Sequence, residues 1–361
     1  RSPYAHAKIL KIDGAEALEV AGVLRVLAGA DLAPHCDPWV ATLAHLKGMK
    51  SAPQLPLPLE RATWVGEAVA GVVAESRALA EDAVARVKVD YAPLPAVSDC
   101  RQALAPGAPL AHRGRPSNLL IEFRQSYGDV AGAFARAPHR AAVDLKQHRG
   151  GAHSIEGRGA LAAYDANEDR LTLWSSTQLA HEVRAFLMRM LRLDENQIRV
   201  VAPDVGGGFG TKFVMYPEEV TLATSCLKLR RPIKWIEDRR EHFVATSHER
   251  VQLHDAEIAL TQDGRIVGIK DVFLHDTGAY DPYGLTVPIN SQCTLLGQYD
   301  VASYHSELTA VFTNKTIVTP YRGAGRQHGI FVMERLLDIA ARELGMDRNE
   351  IRRRNFIPPD A

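Results

Sequence analysis

Short apolar runs separated by polar or proline-rich breaks dominate the first hundred residues. The runs at 7–12, 22–27 and 69–74 have the length and composition of β-strands. Ser76 is a good helix N-cap, and the residues after it place apolar side chains on one helix face before residues 87–91 alternate as a further strand. We therefore predict an α+β fold that includes a strand–helix–strand unit.

A stretch of weak periodicity follows at residues 102–118. It is rich in Pro, Gly and Ala, a composition typical of a connection between domains. We therefore predict one domain at 1–101 and a second at 118–361.

The second predicted domain contains clear strand and helix patterns. Runs at 160–164 and 171–174 predict two strands joined by a polar turn, and residues 181–191 carry apolar side chains at helical spacing. Residues 198–201 predict another strand. No repeat of about 20 to 50 residues is evident, which argues against a solenoid.

The segment 204–212 joins that last strand to a helix predicted to begin at Pro217 and to end at Arg230-Arg231-Pro232. It contains the run Gly206-Gly207-Gly208-Phe209-Gly210. Glycines permit positive φ and let the backbone approach a bound group closely, so the N–H groups of such a turn can face an anion or an oxo ligand. A tight turn without a ligand is the competing interpretation.

Two common nucleotide motifs fit this segment poorly. A P-loop ends in Gly-Lys-Ser/Thr, whereas this chain has Thr211-Lys212-Phe213. The dinucleotide fingerprint G-x-G-x-x-G would require a glycine where Thr211 stands. A nucleotide-binding protein is therefore only a third hypothesis.

Two further segments carry candidate ligand-binding groups. Arg322 lies in Tyr321-Arg322-Gly323-Ala324-Gly325, where small neighbours leave its guanidinium free to face an oxo or phosphate group. Gln178 ends Ser176-Thr177-Gln178 after a predicted strand, and its amide can donate to a bound oxygen. Taken singly, Arg322 is more simply interpreted as part of a solvated basic turn, and Gln178 as a surface residue.

In their order and spacing, these three segments resemble the molybdenum hydroxylases, a family that includes xanthine and aldehyde oxidoreductases and carbon monoxide dehydrogenase. The resemblance extends over nearly the whole chain through framework segments: 1–7, 66–70, 89–95, 231–235 and 352–355.

The resemblance implies a hammerhead domain followed by the first part of a molybdopterin-binding region. It places a molybdenum–molybdopterin cofactor, in the cytosine dinucleotide form, against Gln178, Gly207, Gly208, Phe209, Gly210, Arg322 and Gly323. The molybdenum would be held through the pterin dithiolene, with no direct protein ligand. Electrons would leave through a 2Fe-2S subunit to an FAD subunit.

The family hydroxylates a carbon centre with oxygen derived from water, and a glutamate in a Gly-x-Gly-Glu segment is the general base. The resemblance places that glutamate beyond Ala361. We therefore expect no catalytic residue in this chain, and a second half or partner subunit that supplies it. Glu67, Glu156 and Glu334 are interpreted as framework residues. The rival hypothesis from another class is a non-catalytic assembly or scaffold subunit that retains the fold.

Two positions of the implied substrate pocket depart from family members of known specificity. Phe213 stands where purine-oxidising members have a glutamate, and Ala324 stands where they have a phenylalanine. Xanthine is disfavoured, because a hydrogen-bond partner and an aromatic face are both lost. The Arg322 segment also lacks the cysteine that holds copper in carbon monoxide dehydrogenase. An aldehyde and an N-heteroaromatic substrate both stay open.

Charge balance, hydropathy and cysteine content restrict the kinds of partner and the cellular compartment that we expect for this protein. Forty-three basic and forty-three acidic residues cancel, which removes the electrostatic case for nucleic acid or an anionic membrane. No apolar run is long enough for a membrane span, and the first residues do not resemble a secretory signal, although the true start is expected upstream because Met is absent. We expect a cytoplasmic protein with reduced, non-catalytic thiols at Cys36, Cys100, Cys226 and Cys293.

Overall fold

The computed structural model describes residues 1–40 and 46–360 of the chain. The elements of the N-terminal part are β1 (Ala7–Asp13), α1 (Ala15–Leu18), β2 (Val23–Ala28), α2 (Gly29–Leu32), β3 (Arg61–Ala62), β4 (Ala70–Ala74), α3 (Arg77–Val84) and β5 (Lys88–Pro93). One sheet has the order β3-β1-β5, and a second consists of β2 and β4.

The predicted strand–helix–strand unit is confirmed as β4, α3 and β5. The Ser76 hydroxyl caps α3 by accepting a hydrogen bond from the Leu79 N–H at 3.3 Å. However, β4 and β5 do not pair with each other but belong to the two different sheets. The unit therefore connects two sheets.

Residues 94–118 contain no helix or strand, as the weak periodicity of 102–118 predicts. The segment is nevertheless fixed by Asn118, which is 2% exposed. Its Nδ2 donates to the carbonyl oxygens of Ala103 and Pro109 at 2.9 and 2.8 Å, and its Oδ1 accepts from the Ala111 N–H at 2.8 Å. The placement of a domain boundary here stays a prediction.

The elements of the C-terminal part are β6 (Leu119–Tyr127), α4 (Val130–Arg136), β7 (His139–Gln147), β8 (Gly159–Asp165), β9 (Arg170–Ser175), α5 (Ala180–Leu191), β10 (Ile198–Val201), α6 (Pro217–Leu229), β11 (Ile233–Ile236), α7 (Arg239–Ala245), β12 (Gln252–Leu260), β13 (Ile266–Asp276), α8 (Thr286–Thr294), β14 (Tyr304–Val311), α9 (Arg326–Glu343) and α10 (Arg348–Asn355).

A four-stranded sheet of order β10-β9-β8-β11 packs against α5 and α6. Alternate β9 residues Leu171 and Leu173 are fully buried, and Leu187 of α5 meets the same core. Pro217 occupies the first turn of α6, and Arg230 ends it in a left-handed conformation. The sequence predictions for β8, β9, α5, β10 and α6 are thus confirmed.

A five-stranded sheet of order β6-β14-β13-β12-β7 forms the second half of this part. Its strands β13 and β14 are parallel, and the other pairs are antiparallel. Ile258 and Ile269 from the sheet pack with Leu336 and Leu337 of α9 in one core, and all four are fully buried.

Buried polar contacts join the N-terminal part to the rest. The Asn314 side chain accepts a hydrogen bond from the Val97 N–H and donates to the Thr63 carbonyl, both at 3.0 Å. Arg1 contacts Glu218 at 2.7 Å. Among the described helices, none is long and apolar enough to cross a membrane.

Candidate functional site

Gln178 and the glycine run meet at one edge of the four-stranded sheet. Strands β9 and β10 are parallel neighbours, with Trp174 paired to Val201 near their carboxyl ends. The segments that follow the two strands therefore leave from the same edge, which is where parallel sheets commonly bind ligands. The Gln178 N–H donates to the Lys212 carbonyl at 2.9 Å, so the two loops lie side by side.

The glycine run approaches its neighbours too closely for side chains. A Cβ atom on Gly208 would lie 2.3 Å from Gln178 Oε1, and one on Gly210 would lie 2.2 Å from the Pro320 carbonyl oxygen. Gly210 also has a φ of +104°, and Phe209 has a φ of +53°. The glycines are thus required here by close approach and by backbone conformation.

This arrangement leaves several hydrogen-bond donors free. Gln178 Oε1 accepts from the Gly210 N–H at 3.0 Å, so its Nε2 amine is not used in that bond. Within residues 1–40 and 46–360, no group accepts a hydrogen bond from Gln178 Nε2, from the N–H groups of Gly208 and Phe209, or from the Arg322 guanidinium. The donors fit a ligand rich in oxygen and negative charge.

An ion pair between a buried lysine and a partly exposed glutamate supports the glycine run. The side chain of Lys212 is 1% exposed, and its Nζ lies 2.5 Å from Glu156 Oε2. The same oxygen accepts from the Gly206 N–H at 2.8 Å. Although burial opposes it, the Lys212 ammonium and the Gly206 N–H hold the pKa of Glu156 below its ordinary value. Glu156 is therefore engaged as a charged partner of Lys212, and its interpretation as a framework residue stays a prediction.

The Arg322 turn packs directly on the glycine run. The Arg322 N–H donates to the Phe209 carbonyl at 2.8 Å, and the turn then passes through three left-handed residues, Gly323, Ala324 and Gly325. Asn290 of α8 donates to the Ala324 carbonyl at 2.9 Å. The three segments that the sequence singles out therefore converge in space.

The two predicted substrate-pocket positions lie beside these loops. Phe213 follows the glycine run, its N–H donates to the Gly210 carbonyl at 2.9 Å, and its ring stands edge-on to Tyr283 with centroids 5.4 Å apart. Tyr283 precedes α8, and Asn290 of that helix holds Ala324. Tyr283 itself was not predicted, since a tyrosine between Pro282 and Gly284 carries no sequence signal for this contact.

The other glutamates that could act as bases are engaged elsewhere. Glu67 is buried and accepts hydrogen bonds from the N–H and hydroxyl of Thr63 at 2.5 and 3.0 Å. Glu334 accepts from the Tyr299 hydroxyl at 2.6 Å and from Arg352 at 2.7 Å. Their interpretation as framework residues stays a prediction.

The described cysteines are all free thiols. Burial raises the pKa of Cys36, Cys100 and Cys226 to about 11, which keeps these three protonated and poorly nucleophilic at neutral pH. In the described part of the chain, no group of three or more His, Cys, Asp or Glu side chains is arranged to hold a metal ion.

Sequence reasoning missed two features of the site. In the sequence, Lys212 is notable only as part of a segment that matches a P-loop poorly. Its partner Glu156 lies 56 residues earlier, and no local sequence pattern predicts a contact over that distance. Glu249, which lies behind the Arg322 turn, carries no motif at all. Only the tertiary structure reveals it, because its carboxyl is completely buried at 0% exposure.

Two family models match the chain. The aldehyde oxidase and xanthine dehydrogenase a/b hammerhead domain matches residues 1–95, and the molybdopterin cofactor-binding domain matches residues 111–356. Among curated proteins, the nicotine 6-hydroxylase large subunit of Paenarthrobacter nicotinovorans is 38% identical, over 99% of this chain and 44% of the relative. The carbon monoxide dehydrogenase large chain of Hydrogenophaga pseudoflava is 35% identical, over 99% and 46%.

Solved structures agree. Quinoline 2-oxidoreductase from Pseudomonas putida 86 superposes with a TM-score of 0.95 at 37% identity, over 100% of this chain and 46% of that one. Carbon monoxide dehydrogenase from Oligotropha carboxidovorans gives 0.89 at 34%, with the same coverage. The chain thus spans less than half the length of these relatives. The predicted family and fold class are confirmed: the chain belongs to the molybdenum hydroxylases and consists of a hammerhead domain followed by a molybdopterin cofactor-binding domain.

Proposed function

We propose that the free donors around the glycine run bind the oxygen-rich part of a molybdenum–molybdopterin cofactor, in its cytosine dinucleotide form. The single observation that carries this proposal is the convergence of Gln178 Nε2, two adjacent backbone N–H groups and the Arg322 segment at one sheet edge. The donor set contains no free carboxylate, because Glu156 is neutralised by Lys212.

Each residue has a distinct part in this binding. Gly207, Gly208 and Gly210 let the backbone come close, Phe209 and Gly208 supply N–H donors, and Gln178 donates through its amide. Arg322 supplies a positive charge next to Gly323. When bound, the cofactor supplies two-electron oxidation of a carbon centre with water as the oxygen source. This chain orients the cofactor and provides fixed dipoles that need no rearrangement during reaction.

We further propose that the substrate is an aldehyde or an N-heteroaromatic compound. Phe213 leaves the predicted pocket without a carboxylate at that position, and Ala324 leaves it without an aromatic ring at the other. Both changes argue against purines. Two of the similar proteins, nicotine 6-hydroxylase and quinoline 2-oxidoreductase, are named for N-heteroaromatic substrates. That observation favours the heteroaromatic class.

The proposed enzyme is a complex. A C-terminal half or subunit supplies the general-base glutamate, since Glu67, Glu156 and Glu334 are engaged in framework contacts. A 2Fe-2S subunit and an FAD subunit accept the electrons. We also propose a cytoplasmic location, where the described cysteines, all of them free thiols, would stay reduced.

Molybdenum content of the assembled complex tests the proposal. Gln178→Ala and Arg322→Ala are each expected to weaken cofactor binding by about 1.5–3 kcal/mol, the usual worth of a hydrogen bond to a charged group. Elemental analysis would then show molybdenum below the level of the unaltered complex. The matched controls, Gln102→Ala and Arg101→Ala, lie exposed in the segment 94–118 and should retain the metal.

The rival scaffold function makes the opposite prediction. An assembled complex that lacks molybdenum, or Gln178→Ala and Arg322→Ala variants with unchanged molybdenum and turnover, would favour it. The nucleotide hypothesis is tested separately by thermal unfolding with ATP or NAD, since a ligand that binds only the native state raises the midpoint.

A further inference from the structure

A buried carboxyl, Glu249, lies behind the Arg322 turn. The residue is 0% exposed. Its Oε2 accepts from Gln327 Nε2 at 3.0 Å and lies 3.4 Å from Arg250 Nη1. Gln327 is in the first turn of α9, immediately after the Arg322 turn. The carboxyl therefore connects the segment before β12 to the C-terminal end of that turn.

The turn itself has an unfavourable backbone. Gly323, Ala324 and Gly325 have φ values of +113°, +49° and +96° in succession. An alanine in this region is strained, and such conformations persist only where the surroundings impose them. A Cβ on Gly323 would lie 2.1 Å from Gln327 Oε1, so the Gln327 side chain packs directly against the turn. Its orientation therefore bears on the turn's conformation.

Glu249 is placed to impose that conformation. Burial raises the pKa of Glu249 to about 7, against Arg250, the N–H groups of Tyr321 and Gly325, and Gln327, all of which lower it. Glu249 Oε1 has no hydrogen-bond partner in the described residues, and a proton on the carboxyl removes the cost of a buried charge.

We propose that Glu249 is a positioning residue for the Arg322 turn. Through Gln327 at the end of the turn, and through Arg250, which donates to the Arg322 carbonyl at its start, its carboxyl holds Gly323–Gly325 in the left-handed conformation and so fixes the backbone at Arg322. The consequence for ligand binding rests on the proposed function, whereas the hold on the turn does not.

The charged groups around Glu249 do not compensate a buried carboxylate, so the neutral, protonated carboxyl is favoured there. Arg250, on the same segment, is shared, because it also lies 4.4 Å from the Tyr321 ring centroid and donates to the Arg322 carbonyl at 3.4 Å. On α9, burial lowers the pKa of His328 to about 3, which keeps it neutral. On the segment that pairs with Glu249, Arg149 contacts a different carboxylate.

The protonation of Glu249 gives the turn a pH dependence of known sign. The carboxyl has an ordinary pKa of 4.5, and one of about 7 in the closed turn. Because the pKa is raised in the native turn, protonation of Glu249 stabilises the native turn fully at a pH below 4.5. This stabilisation is lost as the pH rises from 4.5 to about 7, and above that the stability of the turn no longer depends on Glu249 protonation. Protection of the turn against opening should fall by at most about a hundredfold over that range.

Hydrogen exchange of the peptide 320–327, measured in the assembled complex and corrected for the intrinsic rate, tests the proposal. In the unaltered protein, protection should fall between pH 5 and 7. Glu249→Gln keeps a neutral side chain of the same shape and should remove this fall. Glu249→Ala should also lack this fall, and it should exchange about tenfold faster than Glu249→Gln, since the bond to Gln327 is lost. Glu67→Gln, a change at another buried carboxyl, should match the unaltered protein in this peptide.

Two results would overturn the positioning role. One is a Glu249→Gln variant whose turn follows the same pH dependence as the unaltered protein. The other is a Glu249→Ala variant with unaltered protection; should that variant not fold, the glutamine variant still decides. Failure of the proposed function looks different: the unaltered complex would lack molybdenum while exchange in the turn behaved as described.

Discussion

Replacing Gly210 by alanine is expected to separate the glycine run from the Arg322 turn. The new Cβ would lie 2.2 Å from the Pro320 carbonyl oxygen and 3.1 Å from the Tyr321 Cα, where ordinary contact begins at 3.4 Å. The nearest atoms are backbone, so no side chain can rotate away. One of the two loops must therefore shift by about 1 Å.

The energetic cost has two parts. A residue with a side chain at the Gly210 φ of +104° is strained by about 1–2 kcal/mol. The shift also breaks or weakens two hydrogen bonds, from the Gly210 N–H to Gln178 and from the Arg322 N–H to Phe209, each worth about 0.5–1.5 kcal/mol. We expect Gly210→Ala to lose about 2–5 kcal/mol of unfolding free energy, or to fold with these loops apart.

Gly107 provides a matched control. It has a φ of +77°, and a Cβ added to it would meet no other atom within 4 Å, so Gly107→Ala carries the backbone strain without the clash. Urea unfolding should show a loss of about 1 kcal/mol for Gly107→Ala. In the assembled complex only Gly210→Ala should lose molybdenum. Equal stability losses for the two variants, with full molybdenum in both, would refute the close packing of the two loops.

Three other variants probe the framework. Leu173 is fully buried on β9, so Leu173→Ala should cost about 2–5 kcal/mol in urea unfolding, while Leu104→Ala, at 40% exposure, should change little; equal effects would contradict the core assignment. Burial raises the pKa of Glu67 from 4.5 to about 8, so the unaltered protein should lose stability as the pH rises between these values, and Glu67→Gln should not; parallel pH profiles of the unfolding midpoint would count against the raised pKa. Arg158 contacts the buried carboxylate of Glu237 at 2.5 Å, and Arg158→Met should cost about 3–5 kcal/mol by leaving that charge unpaired; a variant with an unchanged thermal midpoint would show that the pair is dispensable.

Local patterns predicted the elements whose signals are local. The hairpin of β8 and β9, the helix α5 and the start of α6 at Pro217 all follow from periodicity or capping within about fifteen residues. The five-stranded sheet was not predicted. Its strand β12 pairs with the edge strand β7, which lies more than a hundred residues earlier in the chain. Periodicity within a strand does not specify a partner at that distance.

The candidate site divides in the same way. Gly208, Gly210, Gln178 and Arg322 could be singled out because glycines and strand-end donors have recognisable local chemistry. The fold gives a parallel case, since the strand–helix–strand unit was predicted correctly but β4 and β5 belong to different sheets. A correct local unit therefore does not specify which strands pair.

The sequence by itself determined where the chain can form its glycine turns and which segments carry candidate hydrogen-bond donors, since those properties depend on the residue types alone. Only the tertiary structure decided that Gln178 Oε1 is taken by Gly210 so that its amine stays free, that Lys212 neutralises Glu156, and that a carboxyl lies behind the Arg322 turn. The physical reason is that hydrogen-bond partners and burial are set by which distant segments come together.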